Sequence, residues 1–433
     1  MRATLAEKPQ TRGVELLDRA KIDTCVQCGM CLTSCPTYRE LGVEMDSPRG
    51  RIFLMKAVQE GRLQPDELFA KHMYLCLDCR ACETVCPTGV PFGSLVEAAR
   101  AVVEQHRRLP FLTRLMRDLA FRWLLPHPGR LQFLGAILRH AQRCRLLAIA
   151  KLFAPGRLRD WLTLLPDLSG RPFLPGDVIS IRPTGPRRGE VALFWGCAAP
   201  VLLPNVQRAT ARVLARYGYE VVVPEGQTCC GALHLHNGLR EEAQALAKRN
   251  LVAFEAAGGD AVIVNAAGCG ATLKEYPELL RGTAEQARAL HFRAVVRDFA
   301  EFLAAAPETP AGGRLKKTVT YQDPCHLAHG QRVRREPRQL LKTIPDVEFK
   351  EMRDADRCCG SAGIYNLLYP GLSQRFLRAK IDHAAQTGAQ LIVTANPGCQ
   401  LQLQAGIRQA GLSAEVVHLA ELLAQAYGLD SGG

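Results

Sequence analysis

The chain is poor in aromatic residues, 6% of its 433 positions, and it has no long apolar run. No stretch reaches 18 uninterrupted apolar residues, so no transmembrane helix is expected. Residues Met1–Lys21 are mixed charged and polar, without the apolar core of a signal peptide, so secretion is not expected. Familiar enzyme motifs are missing as well. There is no G-x-G-x-x-G after a strand, no P-loop, and no Ser/His/Asp arrangement that would support nucleophilic catalysis. No residue of this chain is therefore assigned a catalytic role of its own.

Cysteine, by contrast, is plentiful, with 17 in all. Without a secretory signal, this number argues for a reducing cytoplasm and metal ligation rather than disulfides. Two runs near the N-terminus carry eight of them. The first is Cys25-Val26-Gln27-Cys28-Gly29-Met30-Cys31 with Cys35-Pro36, and the second is Cys76-Leu77-Asp78-Cys79-Arg80-Ala81-Cys82 with Cys86-Pro87. Both read C-x2-C-x2-C-x3-C-P, the two-cluster ferredoxin spacing, in which three close thiolates wrap one corner set of a cubane and the fourth ligates the other cluster. The spacing assigns Cys25, Cys28, Cys31 and Cys86 to one [4Fe–4S] cluster. Cys76, Cys79, Cys82 and Cys35 are assigned to the second. Structural zinc usually takes two separated pairs of ligands, which this pattern does not match.

The remaining cysteines mark a duplication. One half runs from Val191–Phe194 to Cys197, then to Cys229-Cys230-Gly231, then through Ala261–Val264 to Cys269. The other runs from Val319–Tyr321 to Cys325, then to Cys358-Cys359-Gly360, then through Leu391–Thr394 to Cys399. The intervals agree: 31 and 32 residues separate the first cysteine from the pair, and 38 and 39 separate the pair from the last. Apolar strands alternating with helical stretches predict parallel sheets, with the thiols near strand C-termini where open α/β sheets place their sites. These eight cysteines could hold a further cluster, act as redox thiols, or be inert. His234, His236, His326 and His329 lie near them in sequence, as extra ligands, proton carriers or ordinary loop residues. Cys144 stands alone and is read as buried filler.

The fold class is therefore multidomain α and α/β. Residues 1–105 are read as a helical two-cluster ferredoxin-type domain. Residues 106–188 form a basic helical region and linker, and 189–310 and 311–433 the two Cys-Cys-Gly domains. Ser47-Pro48 predicts a helix start and Gly61 its end. The net charge of +13 is concentrated between Arg107 and Leu165, where twelve Lys or Arg face two acids, a balance of +10. Phe111, Leu112, Leu115, Met116, Leu119, Ala120, Trp123 and Leu124 interleave with these charges at near-helical period. That pattern fits an anionic membrane surface or an acidic partner better than nucleic acid, though packing within the chain would give it too.

With these features in place, the chain resembles the iron–sulfur subunits of flavin-dependent hydroxyacid dehydrogenases, and within them the glycolate oxidase family. Cys35-Pro36-Thr37-Tyr38, Ser47–Ile52, Asn265–Tyr276, Cys358–Gly363 and Val393–Gln400 carry the resemblance. It implies FAD in partner subunits and electrons passing through this chain to an acceptor, a membrane quinone. It also implies a peripheral position on the inner face of the cytoplasmic membrane. Lactate or glycerol-3-phosphate dehydrogenation is the sibling alternative. The Cys-Cys-Gly domains also resemble those of heterodisulfide reductase, which would make this a thiol enzyme. There each domain closes with C-x-x-C, but Ala266 and Asn396 stand here at the first of those positions.

Overall fold

The computed structural model describes residues 13–154, 180–307 and 312–429, with isolated positions at 156, 162, 165, 168, 173 and 310. The chain divides into two compact units. The first is Met1–Arg114 with Leu233–Arg240, and the second is Leu115–Ala232 with Glu241–Gly433.

The first unit is helical. It contains α1 (Arg19–Asp23), α2 (Pro36–Leu41), α3 (Pro48–Gln59), α4 (Glu67–Tyr74), α5 (Ala81–Thr84) and α6 (Phe92–His106). Helix α3 starts as the sequence predicts. The Ser47 side chain accepts from the Gly50 amide, and Pro48 takes the first turn, where its missing N–H costs nothing. Asp66 caps α4 in the same way, accepting from Leu68 and Phe69. The core gathers Ile52, Met55, Phe69, Met73, Leu95, Val96, Val102 and their neighbours. Leu233–Arg240 joins this unit rather than the Cys-Cys-Gly domain to which the sequence reading gave it. The reason is a set of polar anchors: the Arg100 guanidinium donates to the His236 carbonyl at 2.8 Å, and the Tyr74 hydroxyl to the Asn237 carbonyl.

The basic region is helical in α7 (Phe111–Asp118), a π-helical turn over Leu119–Leu124, α8 (Pro128–Arg143) and α9 (Leu146–Phe153). Between α8 and α9 the chain is broken at Arg145, which takes a left-handed conformation with φ 56°. Much of the expected linker, 166–188, lies outside the described residues.

The second unit holds two sheets. One has the order β1-β3-β2-β4-β5, with β1 Ser180–Ile181, β2 Gly189–Phe194, β3 Tyr219–Val222, β4 Ala261–Val264 and β5 Val296–Asp298. The other has the order β7-β6-β8-β9, with β6 Lys317–Tyr321, β7 Val347–Phe349, β8 Leu391–Thr394 and β9 Glu415–His418. Every pairing is parallel except β1 with β3, which is antiparallel and falls in the stretch read as linker. The central strands β4 and β8 are buried along their whole length, as continuous apolar runs covered on both faces should be. A single apolar core joins the two halves, from Val191 and Leu193 to Val319, Val393 and Leu423.

Candidate iron–sulfur sites and paired thiol pockets

In the first unit the two cysteine loops share a backbone device. Gln27 and Asp78 occupy the same place in C-x2-C and both have positive φ, 59° and 52°. Gly29 and Arg80, after the second cysteine of each run, are left-handed too, at 81° and 60°. Successive turns of this kind point main-chain N–H groups inward and make a concavity suited to an anion. Strain at three non-glycine residues is tolerated where the fold holds it at a functional site.

Two cavities open inside these loops. One is lined by Cys25, Cys28, Cys31 and Cys86; the other by Cys35, Cys76 and Cys79; Cys82 borders both. The fourth cysteine of each run thus lines the cavity of the other run. The donor set of each cavity, four thiols with main-chain amides nearby, fits a [4Fe–4S] cubane. Asp78 N–H lies 3.3 Å from Cys76 Sγ and Val90 N–H 3.4 Å from Cys86 Sγ.

The two cavities differ in exposure. Cys28 is exposed and Val26 and Met30 beside it are 63% and 55% exposed, whereas Cys35, Cys79 and Cys82 are buried. Burial pushes the Cys82 thiol well up and the Cys76 thiol up. Cys86 goes the other way: hydrogen bonds from Thr88 and Val90 overcome its desolvation and hold it low.

Arginines surround the buried cavity. Arg51 is fully buried at its edge, donating to the His72 carbonyl at 2.7 Å and to Thr37 Oγ1, with Asp46 3.5 Å away. Arg100 donates to the Met73 and Cys76 carbonyls. His236 lies 3.0 Å from Asp78 and 3.2 Å from Glu97. Burial alone would lower the His236 pKa, but the two carboxylates overcome it and raise it to about 9. The sequence reading missed Arg100 and the Asp78–His236 pair. Only the Ser47–Ile52 motif signalled Arg51.

In the second unit each set of four thiols converges. Cys197 follows β2, and Cys269 sits in the first turn of the helix Ala267–Lys274 after β4. Cys325 follows β6, and Cys399 sits in the first turn of Pro397–Ala410 after β8. The Cys-Cys-Gly turns complete both pockets. Their glycines have φ 89° and 86°, a left-handed geometry that a side chain resists. At Gly360 a Cβ would also stand 2.6 Å from the Ser373 carbonyl oxygen.

Thiol contacts run Cys197–Cys229–Cys230–Cys269 in one half and Cys325–Cys358–Cys359–Cys399 in the other. In the first half, contacts among the thiols together with burial push Cys197, Cys229 and Cys230 up. In the second, hydrogen bonds from Cys358 hold Cys325 and Cys359 low, with His326 and Lys380 adding favourable charge.

Among the four histidines, His326 touches a site thiol, with Nδ1 3.7 Å from Cys325 Sγ. His329 meets the Asp356 carbonyl, His234 is buried, and His236 belongs to the first unit. Cys144 is exposed rather than buried, because α8 ends at Arg143 and leaves it outside the helix. The apolar stripe of α7 faces solvent as well: Phe111 is 81% and Leu112 65% exposed. Arg130 stacks on Trp123 at 4.5 Å from the ring centre.

Two cubane-type cysteine cavities followed by two thiol-lined α/β pockets define an iron–sulfur subunit of an oxidoreductase complex. Family models agree along the chain: a 4Fe-4S dicluster domain at residues 21–90, a glycolate oxidase iron-sulfur subunit linker region at 112–161, and a cysteine-rich domain at 191–274 and again at 319–404. A probable glycolate oxidase iron-sulfur subunit of Bacillus subtilis strain 168 is 43% identical over 96% of both chains. The glycolate oxidase iron-sulfur subunit of Escherichia coli K12 is 34% identical over 98% of this chain and 99% of its own. A lactate utilization protein A of Bacillus pumilus is 32% identical, covering 54% of this chain and 98% of its own. The chain belongs to the glycolate oxidase iron–sulfur subunit family.

Proposed function

We propose that this chain relays electrons in a complex that oxidises glycolate to glyoxylate, from FAD in partner subunits to a membrane quinone. The observation that carries the reading is the pair of cavities bordered by the two four-thiol sets. Cys25, Cys28, Cys31 and Cys86 would hold one [4Fe–4S] cluster, and Cys76, Cys79, Cys82 and Cys35 the other. Bound there, the clusters would supply one-electron transfer between flavin and acceptor. The chain's own part is to fix their spacing, bury one set, leave Cys28 near solvent, and place Arg51 and Arg100 beside the buried set. Hydrogen bonds to sulfur, nearby charge and burial are the levers that set cluster potential.

The exposed apolar stripe of α7 among its arginines supports peripheral contact with an anionic bilayer at the inner face of the cytoplasmic membrane. No helix among the described residues is long and apolar enough to cross one. The two Cys-Cys-Gly sets would hold further clusters or serve as redox thiols.

The test is the co-expressed complex assayed with glycolate, lactate and glycerol-3-phosphate, using a quinone analogue as acceptor, alongside sedimentation with vesicles containing anionic lipid. Glycolate-dependent reduction that disappears in Cys79→Ser is the expected result. Preference for lactate would move the chain to the sibling reading. Glycolate turnover undiminished in Cys79→Ser would remove the relay role.

A further inference from the structure

Both ferredoxin-type runs continue past their fourth cysteine in the same way, Cys35-Pro36-Thr37 and Cys86-Pro87-Thr88. Each threonine hydroxyl reaches back to the sulfur of that cysteine: Thr37 Oγ1 lies 3.3 Å from Cys35 Sγ and Thr88 Oγ1 3.4 Å from Cys86 Sγ. The surroundings of the two hydroxyls differ. Thr88 is exposed, so a water molecule can stand in for its hydroxyl. Thr37 is only 1% exposed and is fixed on two further sides. Its Oγ1 donates to the Asp46 carbonyl at 2.7 Å and accepts from Arg51 Nη1 at 3.2 Å.

Arg51 is the unusual member of this group. It is fully buried on α3, whose other large buried side chains are Ile52, Met55 and Val58, and it lines the cavity of Cys35, Cys76, Cys79 and Cys82. Its Nε donates to the His72 carbonyl, and its ion-pair partner Asp46 is shared with His72 Nδ1 at 2.8 Å. Its Nη2, 3.5 Å from Asp46, makes no hydrogen bond among the described residues. Burying a guanidinium carries a large desolvation penalty that an apolar residue here would avoid, so its charge and donors point to a role at the cavity. With Arg51 occupying a lone pair of Thr37 Oγ1, the single hydroxyl proton has two destinations, the Asp46 carbonyl and the Cys35 sulfur.

We infer that Thr37, held by Arg51, turns its hydroxyl proton to the Cys35 sulfur when the buried cubane is reduced, and thereby raises the potential of that centre. One electron is added in this step; the proton stays bonded to Thr37 Oγ1 and no covalent bond breaks. A hydrogen bond to a charged acceptor is stronger than one to a neutral acceptor, so the contact favours the reduced form. Thr88, replaceable by water, gives the exposed cubane no comparable shift. The inference rests on Cys35, Cys76, Cys79 and Cys82 being a [4Fe–4S] ligand set, and not on the substrate.

The experiment is a mediated redox titration of the full complex, purified anaerobically and followed by electron paramagnetic resonance. The signal of the buried cubane is the one that Cys79→Ala abolishes. At a fixed potential, Thr37→Val should lower the ratio of reduced to oxidised buried cubane about tenfold, a shift of about 59 mV for a one-electron couple. Thr37→Ser, which keeps the hydroxyl, should restore the parent potential, and Thr88→Val should leave the exposed cubane where it was. If the new methyl of Thr37→Val, set against the Asp46 carbonyl, costs iron, Thr37→Ala is titrated in its place with the same shift expected. A buried-cubane potential unmoved by loss of the Thr37 hydroxyl, or moved as far in Thr37→Ser, would overturn the inference. If Cys79→Ala removed neither iron nor a signal, the ligand assignment itself would fall, and the inference with it.

Discussion

Four thiols meet at the end of each parallel sheet, but the groups that surround them answer different electrostatic problems. The first pocket is closed by Asn250 and Tyr276, neutral groups that satisfy main-chain atoms and each other. The second is closed by Lys380, His326 and Asn396, two potential cations and an amide aimed at sulfur. The same backbone plan thus carries a neutral amide at one helix position and a lysine at the matching one. The duplication preserved the scaffold, while the side chains around the two thiol sets diverged.

The most severe way to break this comparison is to move the cation across. Asn250→Lys would place an ammonium at a fully buried position and remove the hydrogen bonds to the Thr228 amide, the Cys229 carbonyl and the Tyr276 hydroxyl. A cost of about 3–5 kcal/mol is expected for a buried uncompensated charge, read as a large drop in the denaturation midpoint of the second unit. If the first pocket already contained an anionic centre, the substitution would be nearly neutral.

A second contrast between the halves lies at their caps. Asp298 precedes the helix Phe299–Ala304 and His418 precedes Leu419–Ala426, each in a capping box with a glutamate, Glu301 and Glu421. His418 is buried as the neutral ring: Nδ1 accepts from the Ala420 amide and Nε2 donates to the Asn265 carbonyl at 2.9 Å. Burial lowers its pKa to about 4. Asp298 is raised to about 7 by burial, with Lys274 opposing and Glu301 adding to the shift, and its Oδ2 has no hydrogen-bond partner among the described residues.

The two act with opposite sign. Between the ordinary histidine pKa and 4 the unfolded chain binds His418's proton first, so acid weakens the fold. Between the ordinary carboxyl pKa and 7 the folded chain binds Asp298's proton first, so acid strengthens it. Each contribution is roughly 3–4 kcal/mol from the size of the shifts, and from pH 6.5 to 4 they largely cancel. Asp298→Asn should therefore expose a fall in stability of about 3 kcal/mol on acidification over that window. His418→Asn should expose a rise of similar size. Flat profiles in both variants would show that neither group is shifted.

The cysteine spacings announced most of this architecture. The C-x2-C-x2-C-x3-C-P runs suggested that each fourth cysteine is carried to the other run, and Cys86 and Cys35 line the cavities of the opposite runs, with Cys82 bordering both. The apolar runs of the two Cys-Cys-Gly halves located the central strands to within two residues, as with Val191–Phe194 in β2 and Val319–Tyr321 in β6, whereas β5 and β9 were not read from the sequence. Lys380 was harder to see because a lone lysine on a helix is normally solvated. The available signal was its place in the stripe Ser373, Phe376, Leu377, Lys380, Ile381, Ala384, where an apolar residue would be expected. Arg100 and the pairing of His236 with Asp78 were invisible for another reason: the partners lie far apart in sequence, and only the folded chain brings Leu233–Arg240 to α6. The α7 stripe was legible as amphipathic, but whether it packs inward or faces solvent depends on elements elsewhere.

The smallest test concerns how firmly the two halves are joined. Tyr217 and Tyr427 come from opposite halves, their hydroxyls 3.0 Å apart and their rings edge to face at 6.0 Å. Tyr427→Phe keeps the ring contact and removes one hydroxyl, so it should cost about 1 kcal/mol, the net worth of one hydrogen bond. Because the apolar core from Val191 to Leu423 is continuous through both sheets, that loss should lower a single unfolding transition. Two resolved transitions in the variant would instead mean that this bond, and not the shared core, couples the halves, and the two pockets would then be free to differ in stability as well as in charge.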